Sequence, residues 1–181
     1  MWELASSLRL FRDPSTAALH LPWVEQVRGS VGDLDLLPLL SILPPEGYVP
    51  DFLTPPPESP LVRVEDELER ILATPPRQVV KELDVFTTQH GGRLPAPAQP
   101  LRRNPRRELP KLVATLHEYW RRAVEPHWPR ILALLSADLR HRAKSLTEGG
   151  AEALFDDLAP TISFDAGWLH IDQDWQGVVE L

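Results

Sequence analysis

The sequence predicts a mainly α fold (α+β), with seven to eight helices, an ordered proline-rich loop and a C-terminal β-hairpin. Three observations carry this. Apolar residues recur every three or four positions through most of the chain. Prolines, 20 in 181 residues, are about twice the usual share, and several stand where a helix would begin. A two-residue period emerges only near the C-terminus, from Ile162 onward.

The first helix spans 2–12, where Trp2, Leu4, Ala5, Leu8 and Phe11 share helical spacing and Asp13-Pro14 stops the run. A second is expected from Pro14 with Asp13 as N-cap, carrying Ala17, Ala18 and Leu19. Pro22 is expected to break or kink it before Trp23, Val24 and Val27. Asp33 can cap a short apolar helix over 34–43, with Pro38 in a first-turn position. The stretch 44–57 (PPEGYVPDFLTPPP) is proline-rich, yet Tyr48, Val49, Phe52 and Leu53 are interleaved. A solvated tether has no use for four large apolar groups, so this is read as a loop pinned to the core. Its prolines reduce the entropy lost on fixing it.

Leu61, Val64, Leu68, Ile71 and Leu72 form one helical stripe. Thr74 is expected to cap the next helix, with Pro75 first and Val79, Val80, Leu83 and Phe86 as its stripe, ending by Gly91-Gly92. Residues 93–103 lack periodicity and read as a surface loop. Asn104-Pro105 opens the most strongly helical segment, with Leu109, Leu112, Val113, Leu116, Tyr119, Trp120 and Ala123 at steps of three or four and Pro110 in its first turn. Residues 125–129 (EPHWP) interrupt it, and Pro126 or Pro129 begins a helix carrying Ile131, Leu132, Leu135, Leu139 and Ala143. Gly149-Gly150 separates a last helix over 151–158, stopped by Pro160. Ile162 and Phe164, a turn at Asp165-Ala166-Gly167, then Trp168, Leu169 and Ile171 spell a hairpin. Residues 178–181 read as a third strand in which the chain stops, so further sequence is expected downstream.

Composition narrows the function classes. Without cysteine there is no disulfide framework, cysteine zinc site or thiol catalysis, and a cytoplasmic address fits. No segment is apolar for the ~18 residues of a membrane span, and Met1-Trp2-Glu3 does not begin a signal peptide. The net charge of -7 argues against wrapping nucleic acid by bulk charge. Charge is uneven: 3 Lys/Arg and 8 Asp/Glu over 1–60, 16 and 10 over 61–147, 0 and 8 over 148–181.

No catalytic set is visible, so no enzyme activity is expected. The six histidines lack metal spacing, His141 with Asp138 supplies too few ligands, and Asp156-Asp157 are adjacent and diverge on a helix. No metal or other cofactor is therefore expected. The basic tract Arg102, Arg103, Arg106 and Arg107 is the one candidate for phosphate contact, although no aromatic residue is interleaved with it. A ligand pocket is the more suggestive candidate. It would set Tyr48, Asp51 and Phe52 of the proline loop against Trp23, Tyr119, Trp120, His127 and Trp128, with core packing as the simpler account of the same residues.

Several stretches together carry a resemblance. They are Ser7-Leu8-Arg9-Leu10 with Asp13-Pro14, Leu19-His20-Leu21-Pro22-Trp23, the 44–57 segment, Ala73-Thr74-Pro75-Pro76, Tyr119-Trp120, Pro126-His127-Trp128-Pro129, the 146–158 segment and Trp168-Leu169-His170-Ile171. Over nearly its whole length the chain resembles the N-terminal domain of unknown function of actinobacterial ArsR-like winged helix-turn-helix regulators. The resemblance implies a helical regulatory domain over 1–160 and, over 161–181, a hairpin that starts a truncated sheet. It implies sensing, dimerisation or partner binding, with an unidentified small-molecule effector and a homodimer to be tested. DNA would be reached only through a C-terminal winged helix that these residues lack, and no recognition-helix residue carries over. The metal-sensing cysteines of classical ArsR repressors have no counterpart. The alternative is a free-standing interaction module without DNA binding.

Overall fold

The computed structural model describes residues 1–12, 18–45, 47–57, 63–155, 158–159, 161–165 and 167–172. They are mainly helical and end in a two-stranded hairpin, the expected class. Two compact units form, Met1–His127 and Trp128–Leu181.

In the first unit, α1 (Trp2–Arg12), α2 (Leu21–Val31), α3 (Leu37–Ser41), α4 (Val64–Leu72), α5 (Pro76–Gln89), α6 (Gln99–Arg103) and α7 (Pro105–Tyr119) follow in order. After α7 the chain loosens into a π turn, Trp120–Val124, and then tightens into a 3₁₀ turn, Glu125–His127. The hub is α7. It packs against α3, α4, α5 and α6, and the π turn that extends it packs against α1 and α2. Its sequence explains the role: Leu109, Leu112, Val113, Leu116 and Tyr119 are all buried, and Trp120, Ala123 and Val124 continue the run. Asn104 caps it, with Oδ1 accepting from the Arg107 amide at 3.3 Å.

The proline loop is pinned, as its apolar residues require. Val49, Phe52 and Leu53 are 5%, 2% and 3% exposed, and Asp51–Leu53 form a 3₁₀ turn packed against α5. Gly47 has φ 83°, and a Cβ there would lie 3.1 Å from His90 Nε2, so a side chain at this point would be strained and would crowd the end of α5. Arg70 donates to the Pro56 carbonyl from α4.

Four local expectations are corrected. Pro22 does not break a helix: it sits in the first turn of α2, where its missing N–H costs nothing. The helix expected from Asp13 and Pro14 lies outside the described residues. Thr74 is not the cap of α5: Pro75 is, and Pro76 leads the helix. Pro110 lies inside α7, not in its first turn, because Pro105 already occupies the start. Residues 93–103 are not a surface loop. They form a 3₁₀ turn, Ala96–Ala98, and α6, and they bury Leu94, Ala98 and Leu101. Each short turn buries one residue and is started by proline, so no apolar period is left to detect.

In the second unit α8 runs Trp128–Phe155, with Pro129 in its first turn. Gly150, at φ 75° and ψ −165°, interrupts the helical path where the Gly-Gly pair predicted a break. The strands β1 (Ile162–Asp165) and β2 (Trp168–Ile171) pair antiparallel, with Ile162 opposite Ile171 and Phe164 opposite Leu169. Phe155 stacks on Phe164 with ring centroids 5.6 Å apart, which holds the hairpin to the end of α8. The expected third strand and Asp156-Asp157 lie outside the described residues.

Candidate functional site

The predicted pocket residues fall into two groups. One surrounds the junction of α7 with its π turn. Phe11 meets Trp23 edge-on at 5.8 Å and Tyr119 at 6.0 Å, and Trp23 meets His127 at 6.5 Å. Trp23 Nε1 donates to the Ala123 carbonyl at 3.2 Å, and the Tyr119 hydroxyl donates to Ser7 Oγ at 3.0 Å. Trp120 is also buried here. Tyr119 and Trp120 belong to the core, Phe11, Trp23 and His127 are half-buried at its edge, and the polar atoms of Trp23 and Tyr119 are satisfied by neighbours. Trp128 begins α8, in the other unit.

The second group lies on the proline loop. Tyr48 Oη donates to Asp51 Oδ2 at 3.3 Å. The Phe52 amide donates to Glu82 Oε2 at 2.7 Å, and Gln78 Nε2 donates to Glu82 Oε1 at 2.8 Å. Glu82 is a carboxylate only 7% exposed; Oε2 anchors the loop to α5, while Oε1 is held by Gln78 of the same helix. Sequence reasoning missed it, because a Glu between apolar positions on an amphipathic helix reads as solvated.

Both tyrosines of the chain have phenols pushed above the ordinary range. For Tyr48 the cause is burial, then the Asp51 charge; for Tyr119 it is burial, opposed by the Ser7 hydrogen bond. The native state therefore keeps protons that the unfolded chain releases near pH ~10. Stability is full below that value and falls as pH rises through it. In a spectrophotometric titration, tyrosinate absorbance is expected only together with unfolding. A phenol that titrates reversibly near pH ~10 in the folded chain would contradict this.

A cavity of about 280 Å³ lies elsewhere in the first unit, just below the roughly 300–1,000 Å³ of typical ligand pockets. Leu37 and Pro38 of α3, Pro97 and Pro100 at the 93–103 turns, and Leu112 of α7 supply apolar walls. Asp35, Thr115 and the Glu108–Lys111 pair supply polar groups, with Lys111 Nζ 2.8 Å from Glu108 Oε1. Proline fixes φ, so these walls are stiff. The signal that could have found it is the Pro95-Ala96-Pro97 and Gln99-Pro100 spacing, which starts helical turns.

The basic tract is largely engaged within the chain. Arg102 Nε lies 2.6 Å from Asp84 Oδ1, Arg103 donates to Gln99 at 2.8 Å, and Arg107 Nε is 3.4 Å from Glu108. Arg106 is exposed and lines a second cavity, beside Pro75 and Pro105. Among the described residues no group of three or more His, Cys, Asp or Glu could hold a metal ion, and no helix is long and apolar enough to cross a membrane.

Comparison with known proteins yields no matching family, no matching curated protein and no matching solved structure.

Proposed function

We propose that this chain is the regulatory, ligand-sensing part of an ArsR-like transcriptional regulator and acts without catalysis. The observation that carries the reading is the cavity between α3, the 93–103 turns and α7, together with the resemblance described above. Its walls are apolar, stiffened by prolines, and carry a few polar groups, the composition of small-molecule sites. Because α7 is the hub of its unit, an effector seated on Leu112 and Thr115 would bias the element that most other helices pack against. Ligand binding to one conformation would then shift the population that a DNA-reading partner or domain responds to.

The test is a thermal-shift screen of small, mostly apolar compounds bearing one or two polar groups. A true effector present at ~100 times its Kd stabilises by about 2.7 kcal/mol. Leu112→Trp, which fills the cavity, is expected to abolish the shift. The effector arm fails if no compound stabilises the chain or if Leu112→Trp leaves the shift intact. Mobility-shift assays with the chain alone are expected to show no sequence-specific DNA binding; specific binding would overturn the division of labour. A free-standing interaction module is the second reading, favoured by exposed Leu132, Leu134 and Leu139 on α8.

A further inference from the structure

Leu132, Leu139 and Leu146 recur at intervals of seven on α8, and Leu135 and Ala143 fall on the same side of the helix. Among the described residues of α8 none is buried, and Leu132, Leu139 and Leu146 are 40%, 67% and 46% exposed. A seven-residue recurrence is the pattern with which one helix packs along another. The stripe is also symmetric about its centre, with a leucine seven residues to either side of Leu139. Such a stripe is complementary to its own copy turned end for end, the requirement of a two-fold interface.

We propose that α8 is a self-association helix, and that two copies of this chain pair antiparallel along the leucine stripe with the two-fold axis near Leu139. Charge selects the orientation. Residues 128–147 hold Arg130, Arg140, Arg142 and Lys144 against the single acid Asp138, while 148–181 hold 8 acidic residues and no Lys or Arg. Parallel pairing sets each block level with its like. Antiparallel pairing sets the basic run of one helix level with the segment holding Asp138 in the other, and places Leu132 level with the other copy's Leu146. Asp138 accepts from Arg142 Nε at 2.8 Å within the helix. The pairing rests on the helix alone and not on the regulatory reading, so a monomer would leave ligand sensing standing.

Sedimentation velocity of the full chain across a concentration series is expected to show a monomer–dimer equilibrium in the micromolar range. Leu139→Asp sets two carboxylates at the axis and is expected to give a monomer with unchanged circular dichroism, since this face is exposed in the folded chain. The cysteine-free sequence allows the orientation to be read directly. Leu139→Cys is expected to crosslink to itself, and Leu132→Cys to crosslink to Leu146→Cys in a mixture but not to itself. A chain monomeric at every concentration overturns the proposal, as does a dimer indifferent to Leu139→Asp. Self-crosslinking of Leu132→Cys overturns the antiparallel arrangement.

Discussion

Tyr119→Ala is expected to destabilise the first unit by about 3–5 kcal/mol, the range for emptying a large aromatic side chain from a packed core. Tyr119 is fully buried at the end of α7, with Phe11 6.0 Å away. Its hydroxyl is the partner of Ser7 Oγ, which in turn donates to the Leu4 carbonyl at 2.8 Å. Truncation therefore removes both the ring that supports α1 and one end of a hydrogen-bond chain. Tyr119→Phe keeps the ring and is expected to cost only about 0.5–1.5 kcal/mol. Urea unfolding of both variants separates the two contributions. Equal losses would show that the hydroxyl, and not the packing, holds the junction.

Glu82→Ala is expected to cost about 1–3 kcal/mol, because it strands the buried Phe52 amide that Glu82 Oε2 accepts at 2.7 Å. The effect should be concentrated in the loop. Hydrogen exchange of amides in 47–57 is expected to accelerate sharply, while α7 keeps its protection, because local opening follows local anchoring. Glu82→Gln keeps an acceptor oxygen but loses the charge that strengthens it, and should fall between Ala and wild type. Unchanged exchange in Glu82→Ala would mean that burial of Val49, Phe52 and Leu53 alone fixes the loop.

The candidate site was only partly legible in the sequence. The aromatics Trp23, Tyr119 and His127 do gather, but as packing: Trp23 and Tyr119 against Phe11 with their polar atoms bonded to neighbours, and His127 against Trp23. The proline spacing marks the turns that hold Pro97 and Pro100, but nothing in the sequence joins them to Leu112, which comes from a separate helix. Glu82 was invisible for a related reason. A carboxylate on an amphipathic helix is solvated unless another segment covers it, and the covering segment lies 30 residues away.

Local chemistry alone determined the helical class, the helix start at Asn104-Pro105, the break at the Gly149-Gly150 pair, the C-terminal hairpin and the anchored character of 44–57. Each is written in periodicity, dihedral preference or the presence of large apolar groups, properties that a short window of chain contains. Only the tertiary structure decided that α7 is the hub, that 93–103 forms two turns each burying one apolar residue, and that Trp23 Nε1 bonds to a carbonyl 100 residues later. A stripe of apolar side chains states that it must be covered and does not state by what. The cover is chosen by shape and hydrogen-bond satisfaction among segments far apart in sequence.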